Sequence, residues 1–409
     1  MAKQKDDTRK DDLRTGQPFW LSLPGSSVNF RADPEIGHVD VIIVGAGISG
    51  ALLAEALTRD GKTVLVIDRR APVRGSTPAS TAMIQHEIDL PLTALRKQMP
   101  PRAANAAWRR SVAAVSDLVE LTERLGIDCN MQPKPALYLA GDQMNGAALA
   151  AEAAARRRIG IRAKFLHPSE VLEDYGIDRD GAILSYDSAS ANPAQLAAGL
   201  LRVAQKRGAV IAAPVEITEM AELPSGIALA TEDGRVLTAD HAVFCTGYEF
   251  LKKMQSSLHK VTSTWAIATR PLDSMPAWMR ETIVWEASDP YLYFRADPSG
   301  RLVAGGEDEP TSKKNTRKSV LQRKSQRIAA KLENLTGVSV GKPEFRWAAP
   351  FSVTEDGLPI IDRVEGYDRI FAIMGFGGNG ITFSMIAAQI VTAAINGGKD
   401  PDAGLFAMR

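Results

Sequence analysis

The chain has 409 residues, 45% of them hydrophobic and 24% charged, and a formal net charge of +1. That length supports two ordinary domains with real cores, and the near-neutral balance gives no reason to expect nucleic acid or an anionic membrane as a partner. Two cysteines, Cys129 and Cys245, are too few and too far apart for a metal cluster or a disulfide framework and fit a reducing cytoplasm, while five histidines without HxxxH spacing offer no metal site.

The opening MAKQKDDTRKDDLRTG is charged throughout and has no apolar h-region, so it reads as a disordered tail rather than a secretory signal or an anchor. In the stretch that follows, Phe19, Trp20, Leu21 and Phe30 predict an arm packed on the body.

Residues 40–68, DVIIVGAGISGALLAEALTRDGKTVLVID, compress a strand, a glycine loop, a helix, a second strand and a terminal acid into one βαβ unit. Val39–Val44 is the apolar, largely β-branched run expected of a parallel strand buried on both faces. Gly45, Gly47 and Gly50 spell GxGxxG: the first allows a tight turn, the second lets a pyrophosphate approach the backbone, and the third lets helix and strand pack closely. The helix offers free N–H groups to the phosphates. Val64–Ile67 is the second strand, and Asp68 stands where an acid accepts hydrogen bonds from ribose hydroxyls. The unit predicts a bound dinucleotide.

Beyond it, residues 103–125 and 143–158 carry apolar positions at helical spacing. Asn192–Arg207 reads as a helix opened by Asn-Pro and closed by Gly208. It leads into a strand at 209–213 and then a hairpin, IALATEDGRVLTADHAVFCTG. Residues 260–308 are strand-like, with an alternating YLYFR and a turn at Asp297-Pro298-Ser299-Gly300. Residues 313–336 form a basic amphipathic helix whose charges read as a solvated face. The most apolar long stretches, 41–57 and 381–395, both belong to dinucleotide-fold elements and need no membrane.

In residues 370–395, IFAIMGFGGNGITFSMIAAQIVTAAI, an apolar strand runs into a second glycine-rich loop and a long apolar helix. A nicotinamide domain has no need of that loop. A flavin has, because a helix N-terminus aimed at its N1–C2=O edge stabilises the negative charge that builds there on reduction.

Together with GSTPASTAMIQHE, NPAQLAAGLLRVAQKRG, HAVFCTG, YLYFRADPSGRLVAGGED, TEDGLPIID and GFGGNGITFS, these motifs resemble the D-amino-acid oxidase-like FAD-dependent oxidoreductases, a family that includes glycine oxidase, sarcosine oxidase and γ-glutamylputrescine oxidase. The resemblance runs from about residue 38 to the C-terminus. It implies an α/β fold with a Rossmann-like FAD-binding domain (37–102, 165–257 and 345–409) and a mixed-sheet α+β substrate-binding domain (103–164 and 258–344), preceded by the tail and arm (1–36). The implied cofactor is FAD. Gly45, Ala46, Gly47, Ile48, Ser49 and Gly50 would cradle its pyrophosphate, Asp68 and Arg69 its adenosine end. Ser76, Thr77, Thr81, Ala82 and Met83 would run under flavin and pyrophosphate, Val215 would hold the adenine beside Thr246 and Gly247, and Gly377, Gly378, Asn379, Gly380 and Ile381 would close the pyrimidine end.

The chain departs from the family pattern at three places. An arginine that grips the substrate carboxylate in α-amino-acid members falls at Phe351. The cysteine that links flavin in sarcosine-type members falls at Ala349, so FAD should be non-covalent. The lysine that activates O2 in sarcosine oxidase falls at Val303. The implied reaction is therefore oxidation of a primary or secondary amine to an imine by hydride transfer to flavin N5, with O2 or another acceptor. The alternatives are an α-amino-acid oxidase or dehydrogenase using Arg295 or Arg346 for the carboxylate, and a flavin-binding subunit that works only with a partner subunit. Candidate pocket residues are His86, over the ring or a supporting group; Tyr291 and Tyr293, which share one face of a strand; and Trp347, in the wall or in the core, with Phe351 beside it.

Overall fold

The computed structural model describes residues 14–34, 37–249, 259–310 and 317–408. Two sheets organise the chain. The smaller runs, in hydrogen-bonded order, Ile360–Arg363, Ile370–Met374, Val236–Phe244, Val39–Val44, Val64–Ile67 and Val210–Ala212. Its last five strands are parallel and Ile360–Arg363 is antiparallel.

Period-two alternation decides which side chains face which layer. Val41, Ile43, Val64 and Val66 point into the core shared with helices Ile48–Arg59, Pro193–Lys206 and Gly380–Ile395. Ile42, Val44, Leu65 and Ile67 point the other way, against the meander of Ile217–Leu223, Gly226–Thr231 and Val236–Phe244. Each such fully buried Val or Ile contributes about 1.5–3 kcal/mol, so the sheet holds the glycine loop at its C-terminal edge on a rigid base. By length and composition the stretch Gly377–Ile395 is apolar enough to cross a membrane, but 72% of its apolar window is buried inside the fold.

The larger sheet has ten strands: Thr15–Gly16, Phe345–Thr354, His259–Ala268, Leu302–Glu309, Leu292–Ala296, Ile283–Glu286, Gln132–Leu139, Ala182–Ser190 and Met83–Ile84 in order, with Ala163–Leu166 also paired to Ala182–Ser190. The strands Ala182–Ser190 and Phe345–Thr354 fall, in the sequence division, within the cofactor-binding part, yet they hydrogen-bond here. Helix Lys318–Thr336 covers one face through Val320, Leu321, Ile328 and Leu332 against Trp265, Phe294 and Ala348. The opposite face looks toward the smaller sheet.

At one point the larger sheet breaks its alternation. Ser263 pairs with Glu309 but Trp265 pairs with Gly306, so three residue steps on one strand match two on the other. The extra residue is a β-bulge at Glu307, whose φ of 62° is a left-handed conformation uncommon outside glycine. Glu307 turns outward to helix Lys318–Thr336, where Lys331 Nζ lies 2.7 Å from Oε1 and Lys324 Nζ 3.3 Å from Oε2. Asp308 turns inward.

The sequence-read helices recur as Pro101–Arg124, Gly146–Arg158, Pro193–Lys206 and Lys318–Thr336, residues 313–316 lying outside the described residues. Asn192 caps its helix as its position suggests, accepting from Ala194 N at 3.0 Å and Gln195 N at 3.1 Å. The arm does pack: Phe19 and Trp20 are buried, and Trp20 Nε1 donates to Ser80 O at 2.7 Å. Phe30 is a correction, 46% exposed, because the chain there has left the aromatic contact. Within the stretch read as a tail, Thr15 and Gly16 instead pair with Ala348 and Trp347 as a sheet edge, and residues 1–13 lie outside the described residues.

Candidate active site

The glycine loop is shaped by backbone contacts that tolerate no side chain. Gly45 has φ +117°, and a Cβ there would sit 2.3 Å from Cys245 O; one on Gly50 would sit 1.9 Å from Gly45 O. Asp68 closes the loop from the next strand: Oδ2 accepts from Ala46 N and Oδ1 from Arg70 N, both at 2.8 Å. Thr77 Oγ1 accepts from Ile48 N at 2.9 Å, at the N-terminus of helix Ile48–Arg59. Arg69 and Arg70 both pair with Glu249, Arg70 in bidentate fashion at 2.7 and 3.0 Å.

The second glycine loop reaches the same place from the far end of the chain. A 3-10 turn, Gly377–Asn379, opens helix Gly380–Ile395. Segment 85–89 is laced to it: Thr382 Oγ1 donates to Gln85 O at 2.8 Å, Asn379 Nδ2 to Glu87 O at 2.6 Å, and Gly378 N to Asp89 Oδ2 at 2.8 Å. The hydroxyls of Ser49 and Ser384, 2.7 Å apart, join the two loop helices.

Between the sheets lies a cavity of about 1010 Å³, at the upper end of the roughly 300–1,000 Å³ usual for ligand sites. Of the cofactor residues read from sequence, Gly45, Gly47, Ile48, Ser49, Asp68, Arg69, Ser76, Thr77, Thr81, Met83, Val215, Thr246, Gly247 and Gly377 through Ile381 line it. Ala46, Gly50 and Ala82 do not. Gly50 faces the back of the loop, and Ala82 is fully buried at φ 51°.

The larger sheet closes the other end. Tyr291, Tyr293, Thr264, Asp308 and Phe351 all line the cavity. The Tyr291 and Tyr293 rings lie 5.5 Å apart at 30°, and Tyr291 donates its hydroxyl to Asp308 Oδ2 at 2.8 Å. Burial, together with Asp308 itself, holds the Tyr291 phenol well above its ordinary range. Burial likewise lifts the Asp308 carboxyl to about 6 against the pull of Thr264 and Tyr291. A stacked pair, Tyr138 and Trp285, with centroids 3.7 Å apart, forms a further wall.

Three sequence candidates stand elsewhere. His86 is fully buried behind the cavity, its Nδ1 2.9 Å from Asp187 O and its ring edge-on to Trp108. Trp347 is in the core, donating from Nε1 to Ala79 O at 2.8 Å. Arg295 is buried, donating to Thr81 O at 2.8 Å and Ala191 O at 2.6 Å beneath the Trp20 ring. Arg346 is exposed on the outer side, and Val303 is buried in the core. Sequence reading missed Glu87, Asp89, Asp308, Tyr138 and Trp285. Asp308 was the most accessible of these, lying in the GGED run after the RLVAGG strand.

A cofactor of two linked halves fits this cavity. Its glycine cradle has no room for side chains, and two of its lining residues, Gln85 and Thr246, carry buried side-chain atoms, Nε2 and Oγ1, with no hydrogen-bond partner. The chain belongs to the family of FAD-dependent oxidoreductases abbreviated DAO, whose model matches residues 40–394. Over 391 residues it is 22% identical to a Haemophilus influenzae protein named "Probable oxidoreductase OrdL", covering 93% of this chain and 88% of that one. Glycine oxidase from Geobacillus kaustophilus shares its fold at a TM-score of 0.76 and 22% identity, over 91% of this chain and 99% of that chain. L-proline dehydrogenase from P. horikoshii does so at 0.72 and 17%, over 90% and 96%.

The cofactor is therefore FAD, which when bound supplies the two-electron acceptor for oxidation. Ala349, where the resemblance places the flavin-linking cysteine of sarcosine-type members, lines the cavity wall, and burial raises the Cys245 thiol there far above its ordinary value.

Proposed function

We propose that the protein oxidises the C–N bond of a primary or secondary amine to an imine, by hydride transfer to flavin N5 and onward transfer to O2 or another acceptor. One observation carries this reading: at the substrate end, the cavity presents Phe351 and Asp308, and neither Arg295 nor Arg346 lines it. A substrate carboxylate there would lack a cationic partner and would face an acid instead, a loss of about 2–5 kcal/mol against a paired site. The cations that do line the cavity among the described residues are Arg69 and Arg70, tied to Glu249, and Lys97, exposed at its rim.

In this reading the smaller sheet carries the cofactor and the larger sheet roofs the substrate, with Tyr293 and Phe351 positioning it. His86 and Trp347 support the wall from behind. Orientation in the cavity and an unprotonated amine suffice for such a reaction. Two buried free thiols, Cys129 and Cys245, fit a cytoplasmic protein. The test is anaerobic bleaching of the FAD-loaded protein: n-alkylamines and N-methylamines should bleach it, and glycine, D-alanine and L-proline should do so at least about tenfold less efficiently, as loss of a bidentate anchor implies.

A further inference from the structure

Among the described residues, Asp308 is an acid at the substrate end that no cation lining the cavity pairs with. Glu87 and Glu286 also line the cavity, but Arg156 Nη1 lies 3.6 Å from Glu87 Oε1 and Arg179 Nη2 lies 2.9 Å from Glu286 Oε1. Asp89 is spent on the Gly378 amide. Asp308 is answered only by neutral hydroxyls, Tyr291 on Oδ2 and Thr264 close by, and Oδ1 is a buried atom that makes no hydrogen bond. A buried carboxylate oxygen without a donor costs free energy that a fold does not keep by accident.

Its placement is built. In an unbroken strand Gly305, Glu307 and Glu309 would share the cavity face, because Gly305 pairs with the cavity-lining Tyr293. The bulge at Glu307 shifts the phase by one residue, sending Glu307 to the lysines of helix Lys318–Thr336 and Asp308 into the cavity. The left-handed φ is strained at a glutamate, and Lys324 and Lys331 hold it there.

We propose that Asp308, steadied by Tyr291, is a subsite for a second, non-reacting ammonium group, so that the substrate is a diamine or an amine bearing a remote cation. The inference rests on the amine reading above. The second ammonium donates to Asp308 Oδ1, the atom without a partner, while Tyr291 keeps Oδ2. The rings of Tyr291 and Tyr293 line the same cavity, and an aromatic lining favours a cation over a neutral group. An acid here also excludes amines whose remote end is a carboxylate.

Anaerobic bleaching of the FAD-loaded protein with n-butylamine, 1,4-diaminobutane and 4-aminobutyrate tests the proposal without any variant, since the three differ only at the remote end. The diamine should half-saturate at a concentration at least about tenfold below the monoamine, as a charge-assisted hydrogen bond implies, and 4-aminobutyrate should be the poorest. In Asp308→Asn, checked for retained flavin absorbance, the diamine-to-monoamine ratio should fall to about one. A diamine no better than the monoamine, or a ratio unchanged in Asp308→Asn, would overturn it. tert-Butylammonium, which keeps its N–H donors but has no α-hydrogen to lose, separates the two readings. If no amine bleaches the flavin, the amine reading fails, and the subsite stands only if tert-butylammonium perturbs the flavin spectrum in the wild type and not in Asp308→Asn.

Discussion

The Arg295 guanidinium donates from Nε to the carbonyl oxygen of Thr81 at 2.8 Å, and from Nη2 to Ala191 O at 2.6 Å. It is a strut between the larger sheet and the segment that runs under the cofactor. Burial alone holds this guanidinium down at about 10. Arg295→Ala leaves two buried carbonyls without donors and should cost about 2–4 kcal/mol of stability, read by urea denaturation. It should also raise the dissociation constant for FAD, while the ranking of amine over α-amino-acid substrates stays as in the wild type.

Gly50→Ala places a methyl group on the backbone oxygen of Gly45, at 1.9 Å before relaxation. Because the clash is with backbone, the glycine loop must open. The purified variant should carry less than about a tenth of the wild-type flavin content, by the close-approach role of that glycine, measured as the absorbance ratio at 450 and 280 nm. Full flavin content would show that the loop does not hold the pyrophosphate.

Phe351→Arg would set a guanidinium into the cavity wall. A bidentate pair with a substrate carboxylate should then raise flavin bleaching by glycine or D-alanine about 10- to 100-fold over the wild type. No gain, with flavin content intact, would mean that this wall does not meet the substrate.

Glu307 links the bulge to pH. Burial raises its carboxyl, but hydrogen bonds and charge from Lys331 and Lys324 outweigh this and leave it below its ordinary value of 4.5. A depressed acid stabilises the fold fully above its unfolded value, and that stability is lost as pH falls through the folded one. Wild type should therefore lose stability below pH 4.5 more steeply than Glu307→Gln, with the two curves running parallel above it. Equal slopes below pH 4.5 would show that the lysines do not hold Glu307 ionised.

The βαβ unit was legible because each of its signals is local. Val39–Val44 and Val64–Ile67 have the bounds the apolar runs predict, and Gly45 and Gly50 sit where no other residue fits. Strand Gln132–Leu139 was not legible, since Pro133 and Pro135 speak against a strand and its pairing partner Ala182–Ser190 lies far along the chain. The alternation of YLYFR placed Tyr291 and Tyr293 on one face correctly. It said nothing of Asp308, whose direction depends on a one-residue slip against a neighbouring strand. His86 shows the same gap from another side: a neighbour of the cavity segment in sequence, it is turned by Asp187 toward the core.

An amine without an adjacent carboxylate should be the compound oxidised in this cavity. Anaerobic mixing of the FAD-loaded protein with matched pairs, such as ethylamine with D-alanine and N-methylbutylamine with sarcosine, measures it by the rate of loss of flavin absorbance. Rapid bleaching by the amine of each pair and slow or no bleaching by the amino acid are expected. Bleaching by the amino acids alone would contradict this and require a carboxylate partner other than the residues described.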